Sequence, residues 1–136
     1  MPQQSSSKKL NILLWVFQVL LAVMYLGAGF QKAFGNLSEV VQTIFWISYT
    51  PAPLVRFIGV SELLGGAGLI LPAALKIRPQ LTTLAAAGLS VVMLLASLLH
   101  LYRGEYFVLP FTLAMFAAVT FVAYGRWKLS PFSVQQ

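Results

Sequence analysis

The sequence contains no cysteine, and this absence excludes several kinds of chemistry. Without a thiol, the chain itself can form no disulfide, no thiolate metal site, no cysteine-ligated iron–sulfur cluster and no dithiol pair. Histidine is nearly as scarce, because His100 is the single one, whereas a zinc site needs several nitrogen, oxygen or sulfur ligands. We therefore expect no metal site and no covalently bound cofactor.

Charged residues are also scarce. They make up 9% of the 136 residues, whereas charged residues are about 25% of a typical soluble domain. Hydrophobic residues reach 59%, and the mean hydropathy is +0.83. The net charge of +6 comes from nine Lys and Arg residues scattered between apolar runs. This pattern favours contact with anionic lipid headgroups over nucleic acid, so we expect one compact membrane domain and no nucleic-acid partner.

Four apolar runs predict four membrane-spanning helices, because about 20 helical residues cross roughly 30 Å of hydrocarbon. The predicted layout is a basic tail over 1–9, a membrane domain over 10–128 and a C-terminal tail over 129–136. The predicted spans are 10–31, 54–72, 80–102 and 108–126. Short connections make neighbouring helices antiparallel, which predicts an all-α, integral membrane four-helix bundle. A cleaved signal peptide is the alternative for the first run, which is longer than a usual 7–15 residue signal core.

The distribution of basic residues predicts the orientation of this bundle. With four spans, both termini lie on one side of the membrane. Six of the nine basic residues then lie on that side: Lys8, Lys9, Lys76, Arg78, Arg126 and Lys128. By the positive-inside rule, we expect both termini in the cytoplasm of a cell inner or plasma membrane.

The first outer loop, residues 36–53, has an apolar content of its own. Ser38 and Glu39 offer a helix start, and Trp46 and Tyr49 are residue types that prefer the headgroup level. We predict a short interfacial helix that caps the bundle. A loop helix packed on protein is the alternative.

The second span, Leu54–Pro72, carries a carboxylate where one is costly. Glu62 lies roughly 12 Å into the hydrocarbon at 1.5 Å per residue, so it must be neutralised or partnered. Arg56 is a poor partner, because a spacing of six residues is not a contact spacing on a helix. Lys32 at the end of the first span and His100 near the end of the third are better candidates.

Helical spacing places polar and small residues on one face of each span. The predicted faces are Gln18, Ala22, Tyr25, Gly29 and Lys32 on the first span; Gly59, Glu62 and Gly66 on the second; Ala86, Ser90, Met93, Ser97 and His100 on the third; and Leu113, Ala117, Thr120 and Tyr124 on the fourth. Such faces turn away from lipid. Packing alone would account for the small residues, but it does not account for Glu62.

All three acidic residues and several polar groups fall in the predicted outer half. The ligand-binding candidates are Glu62, His100, Lys32, Tyr25, Gln18, Arg56, Arg103 and Glu105. Glu62 and His100 are the best candidates for holding a proton, because burial and a charged neighbour both shift a pKa. A structural ion pair is the alternative role for Glu62, and contact with the membrane interface is the alternative for the basic residues.

Three segments of the sequence resemble the DoxX-like family of small four-helix membrane proteins. They are GAGFQKAFG, RFIGVSELLGGAGLILP and HLYRGEYFVLPFTLAMFAAVTFVAYGRW, and the resemblance extends from about Val23 to Trp127. It implies a four-span bundle in which Glu62, Lys32 and His100 are site residues. The family takes its name from a subunit linked to quinone-dependent sulfur oxidation, and other members resemble partners of membrane oxidoreductases.

The leading hypothesis is a membrane subunit that binds a lipid-soluble, quinone-like ligand in an outer-leaflet pocket around Glu62. Its expected partners are the lipid bilayer, an oxidoreductase protein and further copies of the chain. A small proton-coupled transporter that uses Glu62 is one alternative. A membrane chaperone or assembly factor that docks through the 36–53 loop is another, and whether any reaction is catalysed stays open.

Overall fold

The computed structural model describes residues 2–132, and their side chains from Lys8 onwards. The main helices are α1 (Pro2–Phe34), α2 (Leu37–Val40), α3 (Ala52–Ala74), α4 (Gln80–Tyr102) and α5 (Leu109–Tyr124). A 3₁₀ helix at Phe45–Tyr49 and a π-helical segment at Gly125–Leu129 complete the described part of the chain, which has no strand. The first helix includes most of the basic segment at the N-terminus.

Within residues 2–132, four helices are long and apolar enough to cross a membrane. The segments are Lys8–Phe34, Ala52–Ala74, Gln80–Tyr102 and Leu109–Leu129. The predicted all-α class with four membrane spans is therefore confirmed. The orientation of the bundle stays a prediction, so we name its two ends by the residues they hold. The terminal end holds the first turns of α1 and residues 75–79 and 125–130, and the loop end holds residues 35–51 and 103–108.

Successive long helices run antiparallel and pack mainly on their neighbours in the chain. The α1 helix lies along α3, and α4 lies between α3 and α5, while contact between α1 and α5 is slight. The core along the bundle axis includes Leu14, Leu69, Leu89, Val119 and Val122, each at most 2% exposed. In a bilayer, the many exposed Leu, Val and Phe side chains of the outer faces meet lipid tails.

The predicted inward faces are confirmed on three of the four long helices. Every residue of the predicted face is buried on α1 and α3, and on α4 only Ser90 is partly exposed. The prediction is wrong on α5, where Leu113, Ala117 and Tyr124 are exposed. The buried line on α5 is instead Thr112, Met115, Val119 and Val122. Because α5 is apolar on every side, its few polar residues did not mark the inner face.

The 35–51 connection is packed against protein. Val40 and Ile47 are buried in a small cluster with Val55 at the start of α3. Asn36 caps the one-turn helix α2 by accepting a hydrogen bond from the Ser38 backbone. Whether this segment also lies at a membrane interface stays a prediction. The packing fixes the loop end of the bundle, where most candidate residues lie.

Candidate functional site

The candidate site forms where α1 and α3 touch at backbone distance. A Cβ atom placed on Gly29 would lie 2.8 Å from the carbonyl oxygen of Gly59, and one placed on Gly59 would lie 2.7 Å from the backbone carbon of Lys32. Only glycine allows this approach, as in other small-residue crossings of membrane helices. The antiparallel crossing sets Lys32 against Gly59 and Glu62 against Gly29, about one turn apart, so the two long side chains reach each other across the contact.

Lys32 and Glu62 form a bidentate ion pair at this crossing. Lys32 Nζ donates to Glu62 Oε1 at 2.9 Å and to Oε2 at 2.8 Å. The residues are 7% and 2% exposed, so both charges are removed from solvent. The expectation that Lys32 partners Glu62 is therefore confirmed. Both charges are satisfied by the chain itself.

Arg56 does not contact Glu62, in agreement with the spacing argument. Its Nη1 donates to the carbonyl oxygens of Lys32 at 3.2 Å and of Gly35 at 2.8 Å. These carbonyls belong to the last turn of α1 and the residue after it, where helical acceptors lack intrahelical donors. Arg56 therefore caps α1 and fixes the backbone that carries Lys32.

His100 was expected beside Glu62, and this expectation is wrong. Its Nδ1 lies 3.1 Å from Oε2 of Glu105, which is the partner that the fold provides. The cause is the end of α4, where Gly104 has φ of +74° and Glu105 N–H donates to the His100 carbonyl at 2.9 Å. This is a Schellman turn, which brings the residue after the glycine back over the last helical turn.

Trp46 lies between the two pairs. Its ring centroid is 5.5 Å from Lys32 Nζ, within cation–π range, and 6.1 Å from the centroid of the His100 ring, which it meets edge-on. Arg103 holds the loop that carries Trp46. Its Nη2 donates to the Tyr49 carbonyl at 3.3 Å, and its Nη1 lies 3.9 Å from Oε1 of Glu105. The loop-end site therefore comprises two acid–base pairs joined by one indole ring.

Tyr25 lies two helical turns before Lys32 on the same face of α1. The side chain is buried, and its hydroxyl has no hydrogen-bond partner in the structure. A buried hydroxyl without a partner costs free energy, and a ligand oxygen beside it would recover that loss.

A second polar cluster lies at the terminal end. Arg126 is 2% exposed, and its Nε donates to Oε1 of Gln18 at 2.7 Å while its Nη1 donates to Oδ1 of Asn11 at 2.6 Å. The same Nη1 also donates to the Ser130 carbonyl at 3.1 Å. Gln18 in turn donates to the Leu69 carbonyl at 2.7 Å. Gln18 is thus far from the Glu62 site, and the expectation that it belongs there is wrong.

Asn11 and Arg126 were not among the candidates from sequence. One signal pointed to Asn11 and a second to an amide contact at Leu69, but none pointed to Arg126. Asn11 is seven residues before Gln18, which is two helical turns along the same inward face. Pro72 lies inside α3 and lacks an N–H, so it disturbs the backbone hydrogen bonds of the preceding turn, which includes Leu69. An amide on a neighbouring helix is the group expected to meet that turn.

An open groove of about 710 Å³ borders the second cluster. It lies between α4 and α5 at the terminal end of the bundle. Arg126 lines it together with Ala87, Ser90, Tyr124 and Trp127. Its size is within the range typical of small-molecule sites. Within residues 8–132, no three His, Asp or Glu side chains come together that could hold a metal ion.

Comparison with protein-family models gives one result for this chain. The model described as the DoxX-like family matches residues 16–123, which include all four long helices in whole or in part. Comparison with curated proteins and comparison with solved structures each found no match.

Proposed function

Since the chain belongs to the DoxX-like family, we propose that it is a membrane subunit that binds a lipid-soluble, quinone-like molecule at the Lys32–Glu62 pair. The observation that carries the proposal is the burial of this bidentate pair inside a membrane helix crossing. Taking two charges out of water usually costs more free energy than their attraction returns. A pair kept in such a place is a functional-site hypothesis by default.

The groups beside the pair fit the head of a quinone. Each quinone carbonyl accepts hydrogen bonds, and Lys32 Nζ and the unpartnered Tyr25 hydroxyl are donors on one face of α1. The isoprenoid tail of such a molecule would lie against the exposed apolar residues that face lipid. The ligand would reach the pair by displacing the Trp46 ring, which covers Lys32.

The arrangement also offers two places for protons. Oxidation of a quinol releases two protons and two electrons. In the proposal, a Glu62 oxygen accepts one proton after Lys32 turns to the ligand, and His100 accepts the other beside Glu105. The electrons pass to a partner oxidoreductase.

The test is quinone retention by the protein in phosphatidylcholine nanodiscs, measured by extraction and chromatography after free quinone is removed. We expect the parent protein and Glu39→Gln, a change at an exposed acid, to retain quinone equally. Glu62→Gln leaves Lys32 without its counter-ion, and Lys32→Met removes the donor. Each should lower affinity roughly 10- to 100-fold, which corresponds to one charged hydrogen bond.

Two results would contradict the proposal. One is a parent protein that retains no more quinone than Glu62→Gln. The other is proton uptake into liposomes that is driven by a transported substrate and lost in Glu62→Gln, which would favour a proton-coupled transporter. The assembly-factor alternative assigns docking to the 36–53 loop. Within this loop Tyr49 is 69% exposed. Trp46 instead faces Lys32 and His100, which weakens this alternative.

A further inference from the structure

We propose that the groove at the terminal end is a binding site for one anionic phospholipid, with Arg126 as the group that recognises its negative charge. The charge balance of the cluster supports this proposal. Arg126 is buried, and the acceptors of its hydrogen bonds are amide and backbone oxygens, all of them neutral. Within residues 8–132, Arg126 therefore has no counter-ion, although it lies at the edge of an open groove.

Acidic and basic residues are unevenly distributed between the two ends of the bundle. The three acidic residues, Glu39, Glu62 and Glu105, all lie at the loop end, in α2, the Lys32 pair and the 103–108 connection. Basic side chains collect at the terminal end, where Arg78 in the α3–α4 turn and Lys128 in the π-helical segment are exposed. The field at the groove is therefore positive, and an anionic headgroup would enter it favourably.

The polar and apolar parts of the groove follow the depth of the bilayer. Tyr124 and Trp127, which are 53% and 65% exposed, are residues that prefer headgroup depth. Ala87 and Ser90 line the groove further along α4 from its terminal-end start, where an acyl chain would lie. A phosphate near Arg126 and an acyl chain along α4 therefore match the polar and apolar parts of the groove. Phospholipid is also the molecule at highest concentration around such a surface.

The test uses Trp127 as a reporter. In a protein with Trp15→Phe and Trp46→Phe, Trp127 is the remaining tryptophan, and brominated acyl chains quench its fluorescence on contact. The protein is placed in bilayers of phosphatidylcholine containing increasing brominated phosphatidylglycerol or, as the reference, brominated phosphatidylcholine. We expect phosphatidylglycerol to be preferred at Trp127 about fivefold, the factor for roughly one charge at a membrane surface.

The preference should disappear in Arg126→Met and persist in Lys9→Met, which removes a basic residue outside the groove lining. If Arg126→Met does not fold, Ala87→Phe fills the groove without removing a hydrogen bond of Arg126, and it should also abolish the preference. A preference unchanged by both variants would overturn the proposal. Equal, weak quenching by both brominated lipids would overturn it too, since a second copy of the chain would then cover the groove. Neither result bears on quinone binding at Lys32.

Discussion

The two ends of the bundle each bury a cationic side chain, but only the loop end neutralises it. At the loop end, Lys32 meets both oxygens of Glu62, and the pair is neutral as a unit. At the terminal end, Arg126 donates to the neutral side-chain oxygens of Gln18 and Asn11, and within residues 8–132 no carboxylate cancels its charge. Burial of a charged side chain alone therefore does not determine what kind of site it forms. A self-neutralised pair can exchange a proton, whereas an uncancelled charge attracts an anion.

Removing one member of the neutral pair should have the largest effect. Lys32→Met leaves the Glu62 charge buried and unpaired, which should lower the free energy of unfolding by about 3–5 kcal/mol. The double variant Lys32→Met, Glu62→Leu should recover most of this loss, because no charge remains buried. Denaturant unfolding in mixed micelles measures both changes, with Lys9→Met as an exposed control. A double variant no more stable than Lys32→Met would show that the two side chains do not interact.

The helix crossing that aligns the pair should be nearly as sensitive. In Gly59→Ala, the new Cβ would meet the backbone of Lys32 and Gly29 at less than 3 Å, so α1 and α3 must separate. We expect a loss of about 3 kcal/mol, at the upper end for overpacking, and weaker quinone retention. Gly27→Ala is the matched control on α1, since its Cβ would have no neighbour within 4 Å. Equal stability of the two variants would contradict the close crossing.

Removing the uncancelled charge should cost less than breaking the pair. Arg126→Met removes the donor from neutral oxygens alone, those of Gln18, Asn11 and Ser130, so the expected loss is about 1–3 kcal/mol. Lys128→Met, two residues further and exposed, should change stability little. A larger loss of unfolding free energy in Arg126→Met than in Lys32→Met, measured under the same conditions, would contradict this order.

The smallest expected loss of stability comes from removing a hydrogen bond between two neutral groups. Thr120 Oγ1 donates to Ser90 Oγ at 3.2 Å across the α4–α5 contact. Thr120→Val keeps the shape and removes the bond, with an expected loss of about 0.6 kcal/mol, the average for such bonds inside membranes. Thr83→Val, at another residue that lines the same groove, provides the reference in the same unfolding assay. A loss as large as that of Arg126→Met would remove the distinction between charged and neutral contacts.

Much of the loop-end site could be predicted from sequence, because its constraints are strong. A carboxylate in an apolar span requires a partner, and helical spacing placed Glu62, Lys32 and their glycines on inward faces. The pairing of His100 was missed because it depends on a turn. A glycine four residues after a histidine, followed by a glutamate, is compatible with a Schellman turn that returns the acid to the helix end, but only the structure shows that α4 ends there.

The terminal end was harder to predict, for a physical reason. An arginine near the end of a span normally extends to the interface, and the same sequence is compatible with burial or exposure. Arg126 is buried because Asn11 and Gln18 face it from the far end of the chain. The inner face of α5 was mispredicted for a related reason, since an all-apolar helix carries no pattern that distinguishes the core from lipid.

The most direct test of quinone binding at the Lys32–Glu62 pair is to locate the quinone with single-tryptophan proteins. A quinone quenches tryptophan fluorescence at short range. Trp46 lies over Lys32, whereas Trp127 lines the groove at the opposite end. In phosphatidylcholine nanodiscs, we expect saturable quenching of a Trp46-only protein, and this quenching should be lost in Glu62→Gln. A Trp127-only protein should show only weak, non-saturating quenching. Saturable quenching of Trp127 alone would contradict it and would move the quinone site to the Arg126 groove.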